Sequence, residues 1–179
     1  MPQTAAPTHG PDGATVQTIG LSNHSPERFL ELLRLHGIDA VADVRSRPYA
    51  RYAKHFRKEP LERLLRGAGV AYVFLGHLVG GKPDDPALLG QDGLPDYERI
   101  AASPGFAEGI ARIVQGARRY TVALACAEED PSRCHRSLLI APALAARGVR
   151  VLHIRGHGGL EPDAPRAPEP RASLLDHAG

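Results

Sequence analysis

The chain has 179 residues with 22 Lys and Arg against 20 Asp and Glu, a formal charge of +2, so as a whole it is no polycation. Its length suits one domain with a sizeable core, no apolar run is long enough to span a bilayer, and residues 1–13 lack the charged start and apolar centre of a signal peptide. Two cysteines without a secretion signal argue against a disulfide scaffold and make a reducing cytoplasm the expected compartment.

In chain order, residues 1–13 hold three prolines and two glycines with little hydrophobic matter, which predicts a disordered leader. Residues 14–155 follow as one α/β domain. Residues 15–21 (TVQTIGL) read as a first strand. Ser25 is an N-cap with Pro26 as the first helical residue, and Phe29, Leu32, Leu33 and His36 then recur at helical spacing until Gly37. Residues 40–44 are a second strand, residues 60–68 a helix carrying Leu61, Leu64 and Leu65, and residues 71–75 a third strand. Residues 76–95, rich in Gly, Pro and Asp, are expected to form a long loop, and loops of that length are commonly functional.

Ser103-Pro104 opens a helix whose apolar face is Phe106, Ile110, Ile113, Val114 and Ala117, and residues 120–125 form a buried fourth strand. Residues 137–147 read as a helix with Pro142 inside it, which removes a hydrogen bond and kinks the helix at a cost of about 3 kcal/mol. Gly148 ends that helix before a fifth strand over residues 149–154, and residues 156–179, with four prolines, are expected to be a flexible tail. Strands alternating with helices predict a three-layer α/β sandwich around a mainly parallel sheet of about five strands, Rossmann-like, whose strand order the pattern does not reveal.

In such a sheet the loops after the strands share one edge, where helix N-termini offer free N–H groups. That rule gathers residues 21–25, 45–51, 76–84, 126–136 and 155–159. The second strand ends in Asp43-Val44-Arg45-Ser46-Arg47-Pro48, and alternation puts Asp43, Arg45 and Arg47 on one side. Either Asp43 and Arg45 form an internal ion pair that fixes the next loop, or the Arg45 guanidinium covers a phosphate or carboxylate. From Arg45 to Arg66 eight Lys and Arg stand against two Glu, a local charge of 8 − 2 = +6 that favours an anionic partner. Within it Tyr49, Tyr52, His55 and Phe56 interleave with Arg51, Lys54, Arg57 and Lys58, which suits stacking plus phosphate contact in a nucleotide or single strand, or else a solvated loop with one or two rings tucked inward. Gly80, Gly81 and Lys82 bring backbone amides and a cation to the same edge.

The densest chemistry lies in Cys126-Ala-Glu-Glu-Asp-Pro-Ser-Arg-Cys134-His135-Arg136. Three readings stay open. Cys126 is a nucleophile or redox thiol assisted by Glu128 or His135, although neighbouring acids oppose a thiolate. Cys126, Cys134 and His135 bind zinc or iron, although the spacing is no familiar zinc motif. Or Cys126 is a small buried hydrophobe and His135 a helix-start cap. A phosphatase-type cradle is disfavoured, because Cys126 and Arg133 are separated by six residues and the loop is triply acidic.

The chain resembles the family catalogued as domain of unknown function 488. The resemblance rests on Thr18-Ile19-Gly20 with Ser22, on Asp43-Val44-Arg45 with Pro48, on Gly80-Gly81, on Tyr97 with Ser103-Pro104-Gly105-Phe106, and above all on Cys126-x-Glu128-x-x-Pro131-x-x-Cys134-His135-Arg136 closed by His153-Ile154. It departs at Leu21 and Ala50, where relatives look to carry histidine and serine. The resemblance implies an α/β domain with one shared site and names no reaction. The leading expectation is a small enzyme acting on an anionic, nucleotide- or nucleic-acid-like ligand. Cys126, Glu128 and His135 would be catalytic, and Arg45, Arg47, Arg136, Ser22, Gly80 and Gly81 would hold the anion, with no cofactor and no membrane partner. The alternatives are a zinc- or iron-binding or thiol-sensing module without turnover, and a nucleic-acid-binding accessory protein.

Overall fold

Six strands order as β3-β2-β4-β1-β5-β6 in a computed structural model that describes residues 13–164. They are β1 (Thr15–Gly20), β2 (Ala40–Asp43), β3 (Ala71–Phe74), β4 (Val122–Cys126), β5 (Arg150–Ile154) and β6 (Leu160–Pro162). The first five pair in parallel, and β6 runs antiparallel to β5. The helices are α1 (Pro26–Leu35), α2 (Lys58–Gly67), α3 (Gly76–Val79), α4 (Tyr97–Ala102), α5 (Pro104–Ala117) and α6 (Ala141–Ala145).

Side-chain alternation in the central strands divides the core in two. Ile19, Val41, Ala123 and Ala125 face α1 and α2, where Phe29, Leu32, Leu33, Leu61 and Leu65 are buried. Val16, Ala42, Leu124 and Cys126 face the other way, onto Phe106, Ile110 and Ile113 of α5 and Leu144 of α6. Helices therefore cover both faces, and the expected three-layer sandwich is the fold observed. The Ser25 cap forms as the sequence predicts, its hydroxyl accepting from the Arg28 N–H at 3.1 Å.

Three expectations are corrected. The tail does not begin at Gly156: residues 156–159 turn, and β6 pairs Leu160 with Ile154 and Pro162 with Leu152, giving six strands rather than about five. Pro162 is tolerated because β6 is an edge strand, where a missing N–H costs no ladder bond. Residues 76–95 are not plain loop, since α3 and a 3₁₀ turn, Pro86–Leu88, lie within them. Gly76 opens α3 pressed on the Arg45 carbonyl, where a Cβ would come within 1.7 Å of the oxygen. The segment after the cysteine loop is not one kinked α-helix either. Arg136–Ile140 winds as a π-turn and α6 follows, so Pro142 lies at a change of winding rather than inside an unbroken ladder. The expected leader, but for Gly13, and the tail beyond residue 164 lie outside the described residues. Among those described, no helix is long and apolar enough to cross a membrane.

Candidate functional site

The parallel register brings the predicted segments to one edge. Gly20 lies opposite Cys126, Asp43 lies opposite Ala125, and the Leu21 and Ser22 N–H groups donate to the carbonyls of Cys126 and Ala127 at 2.8 and 2.9 Å. The side chains at that edge nevertheless separate onto the two faces of the sheet.

Asp43 and Arg45 turn toward α1 and α2. Asp43 is fully buried and Arg45 nearly so. Arg45 donates Nε to Asp43 Oδ1 at 2.9 Å, one terminal nitrogen to Oδ2 at 2.8 Å, and the other to the Phe56 carbonyl at 2.7 Å. Tyr72 donates its hydroxyl to Asp43 Oδ2 at 2.9 Å, and burial together with that carboxylate pushes the phenol far above its ordinary value. The internal ion pair is therefore the reading that holds. Arg45 fixes the following loop through Phe56 and is not the anion-holding group expected of it. Arg47 is exposed and pairs with equally exposed Asp84, an arrangement worth little in water.

Cys126 projects from the opposite face. Its Sγ lies 3.1 Å from Cys134 Sγ, and His135 Nδ1 lies 3.6 Å from each sulfur. His135 Nε2 is 2.9 Å from the Val44 carbonyl, which can only accept, so the N–H is on Nε2. In the neutral ring the Nδ1 lone pair then points at both sulfurs. All three residues are largely buried, Cys126 5% and Cys134 4% exposed. Arg136 donates Nε to Cys134 Sγ at 3.4 Å. Cys134 is the acidic thiol: its hydrogen bond with Cys126, helped by the Arg136 charge, holds it well below an ordinary thiol. Cys126 is pushed well above by its hydrogen bond to Cys134 and by burial. The expected activated nucleophile, Cys126, is the weaker acid of the pair.

Around this cluster the other predicted residues take supporting places. Gly81 packs on it so closely that a Cβ would stand 2.8 Å from His135 Cβ and 3.2 Å from the Tyr97 hydroxyl. Burial and the two nearby cysteines push the Tyr97 phenol up to about 12. Gly80 packs instead on Ser46, whose Oγ accepts the Lys82 N–H at 2.8 Å. These glycines are close-approach positions. Glu128 is exposed, and what it contributes inward is its carbonyl, which accepts from Arg136. Arg136 itself is 1% exposed and spends its guanidinium on that carbonyl, on the Glu129 carbonyl and on Thr18 Oγ1 at 3.2 Å, so it too is not free to hold a ligand.

Sequence reading gave Thr18, His153, Ser137 and Asp163 no place in the site, yet they extend it. Because the Asp163 carboxylate can only accept, His153 Nε2 donates to its Oδ1 at 3.0 Å, and in the neutral ring Nδ1 then accepts at 2.8 Å from the Thr18 hydroxyl, which itself accepts from Arg136. Ser137 Oγ donates to the same carboxylate oxygen. Burial lowers the proton affinity of His153, with Asp163 opposing, which matches a neutral ring relaying one hydrogen-bond direction. The chain ends at a pocket of about 150 Å³ lined by Ser137, His153, Arg155 and Asp163. Thr18, polar among inward-facing residues of a buried strand, was a readable signal. Asp163 had none, lying in a proline-rich stretch.

Beside the cluster Arg155 clamps Glu129 in bidentate fashion at 3.0 and 2.9 Å, and the Gly156 N–H adds a third bond at 2.9 Å. These contacts, the Arg155 hydrogen bonds first, bring Glu129 down to about 2. A carboxyl depressed in the folded state contributes stability above its unfolded value of about 4.3 and loses it as pH falls toward the folded value. Chemical denaturation is therefore expected to show stability falling between about pH 4.3 and pH 2. Glu129→Gln should flatten that slope, and an unchanged slope would remove the clamp from the acid response.

The molecule is thus a three-layer α/β sandwich with a buried Cys/Cys/His cluster at the C-terminal edge of its parallel strands. Residues 25–142 match the family described as Domain of unknown function DUF488, more than half of the chain, and the chain belongs to that family. The match spans the cysteine loop and ends before His153 and Asp163. No curated protein matches the chain at a significant level.

Proposed function

We propose that this protein is a metal-binding module in which Cys126, Cys134 and His135 hold one zinc or iron ion. The observation that carries the reading is His135: its Nδ1 is equidistant from two sulfurs at 3.6 Å while its Nε2 is tied to a backbone carbonyl. Metal-bound histidines characteristically hold their second ring nitrogen in this way. Ordinary zinc bond lengths at a tetrahedral centre put sulfur and nitrogen about 3.5–3.6 Å apart and two sulfurs about 3.8 Å apart. The histidine already stands at that distance, and the sulfurs need to open from 3.1 Å. The three ligand atoms lie within 4.8 Å of one another. Three protein ligands leave a fourth position for water or another ligand.

The enzyme reading with bound anion loses support because Arg45 and Arg136, the guanidiniums it requires, are both engaged internally. A thiol-sensing reading keeps one observation in its favour, the 3.1 Å sulfur separation and the unequal acidity of the pair. Closing to a disulfide needs about 2.05 Å and a two-electron oxidant, with both thiol protons released.

Elemental analysis of the full chain, purified without chelator and then reconstituted with Zn²⁺ or Fe²⁺ under reductant, is expected to give about one ion per chain. Cys134→Ser or Cys126→Ser should lose it, and cobalt-loaded wild type should show thiolate-to-metal charge-transfer absorption that both variants lack. Wild type that stays metal-free and instead loses two hydrogens on peroxide treatment would replace the metal reading with the sensing one.

A further inference from the structure

We infer that the loop between β2 and α2 is a docking site for single-stranded nucleic acid, independent of the cysteine cluster. From Arg47 to Lys58 the chain carries five cations and no carboxylate. Its four aromatic side chains divide by role. Phe56 is buried, packed edge-on against Phe29 with ring centroids 5.3 Å apart, and His55 is anchored to the His24 carbonyl at 3.2 Å. Tyr49 and Tyr52 point outward, 67% and 89% exposed.

Those two rings are held out by a fixed backbone rather than by a loose one. The Arg45 guanidinium grips the Phe56 carbonyl, Arg57 Nε donates to the Ala50 carbonyl at 3.0 Å, and the Lys58 N–H donates to the Pro48 carbonyl at 3.1 Å. Each ring also carries a guanidinium, Arg57 at 4.4 Å from the Tyr49 centroid and Arg51 at 5.6 Å from that of Tyr52. A tyrosine with a cation beside it and an open face offers a base its stacking surface and the adjoining phosphate its counter-charge. Burying neither ring leaves large apolar surface in water, which a purely solvated loop has no reason to keep. The occupant is single-stranded because bases inside a duplex are already stacked and offer exposed rings no face. Arg47 is partly neutralised by Asp84 and Arg57 is held on the Ala50 carbonyl, so Arg51, Lys54 and Lys58, the last with its ammonium 4.7 Å from the Phe74 ring centroid, are the cations left for phosphate.

Fluorescence anisotropy of the full chain with labelled single strands of mixed sequence, one of DNA and one of RNA, tests this and shows which of the two sugars is preferred. Binding at low salt is expected, with log K falling against log salt at a slope of about −2, three phosphates at roughly 0.7 each. Tyr49→Ala and Tyr52→Ala should each weaken binding about tenfold or more, while Tyr52→Phe should keep it. Arg51→Glu with Lys54→Glu should abolish it. These positions are on the surface, so folding is not at issue. Cys134→Ser should leave binding unchanged, which separates this result from the fate of the metal site. No binding of either strand at low salt, equal competition by duplex, or full affinity in the Tyr49→Ala/Tyr52→Ala double variant would each overturn the inference.

Discussion

Replacing Asp43 with alanine is expected to destabilise the protein by about 3–5 kcal/mol, measured by urea or thermal unfolding. The carboxylate has no exposure and accepts four hydrogen bonds: two from the Arg45 side chain, one from the Arg45 backbone N–H at 3.2 Å and one from Tyr72. Without it the Arg45 guanidinium remains inside the fold with only the Phe56 carbonyl, and an uncompensated buried charge is what makes such truncations costly. Asp43→Asn keeps an acceptor while losing the charge, so its loss should be smaller. The informative variant is the double one, Asp43→Ala with Arg45→Met. Removing both charges removes the penalty, and stability should recover most of the way toward wild type. Recovery identifies the pair as architecture. If Asp43→Ala stays within about 1 kcal/mol of wild type, the pair is not what fixes the loop.

That pair also shows how far the chain itself could be read. Alternation along β2 correctly placed Asp43 and Arg45 on one side and Val44 on the other. The strands, the caps at Ser25 and Ser103, and the gathering of loops at one edge followed from apolar periodicity and turn residues, which are local. Which face of the sheet each side chain joined was not local. Cys126 opposes the Asp43 side because of the register between β2 and β4, and a shift of one residue would have reversed it. Hence the cysteines, His135 and Arg136 could be named as a cluster, while Arg45 was wrongly grouped with them. The acidity of Cys134 over Cys126 depends first on the hydrogen bond between the two sulfurs, which no spacing reports. Two elements were hidden by composition. α4 is a six-residue helix capped by Asp96 and burying only Ile100. β6 is three residues with a proline at its end, and its pairing comes from β5 rather than from its own sequence.

Arg136→Met is expected to cost about 3 kcal/mol or more and to make Cys134 a weaker acid in the same variant. The guanidinium is 1% exposed, and its bonds run to two carbonyls, a threonine hydroxyl and a thiol. Methionine fills much of the volume but strands the Glu128 and Glu129 carbonyls, and each buried polar group left without a partner costs about 1–3 kcal/mol. It also takes away the donor to the Thr18 hydroxyl at the head of the Thr18–His153–Asp163 chain. Cys134 loses both a hydrogen bond and a nearby positive charge, each of which favours its thiolate. Titration of thiolate absorbance should therefore move upward in pH relative to wild type, a shift that a merely space-filling arginine would not produce. Arg136→Lys divides the two roles. A lysine retains the charge beside the sulfur but has no planar fork to reach carbonyls, hydroxyl and thiol at once, so the titration should recover while much of the stability loss remains. Should Arg136→Met leave both the unfolding curve and the titration where they were, the arginine does not join the sulfur cluster to the buried polar chain.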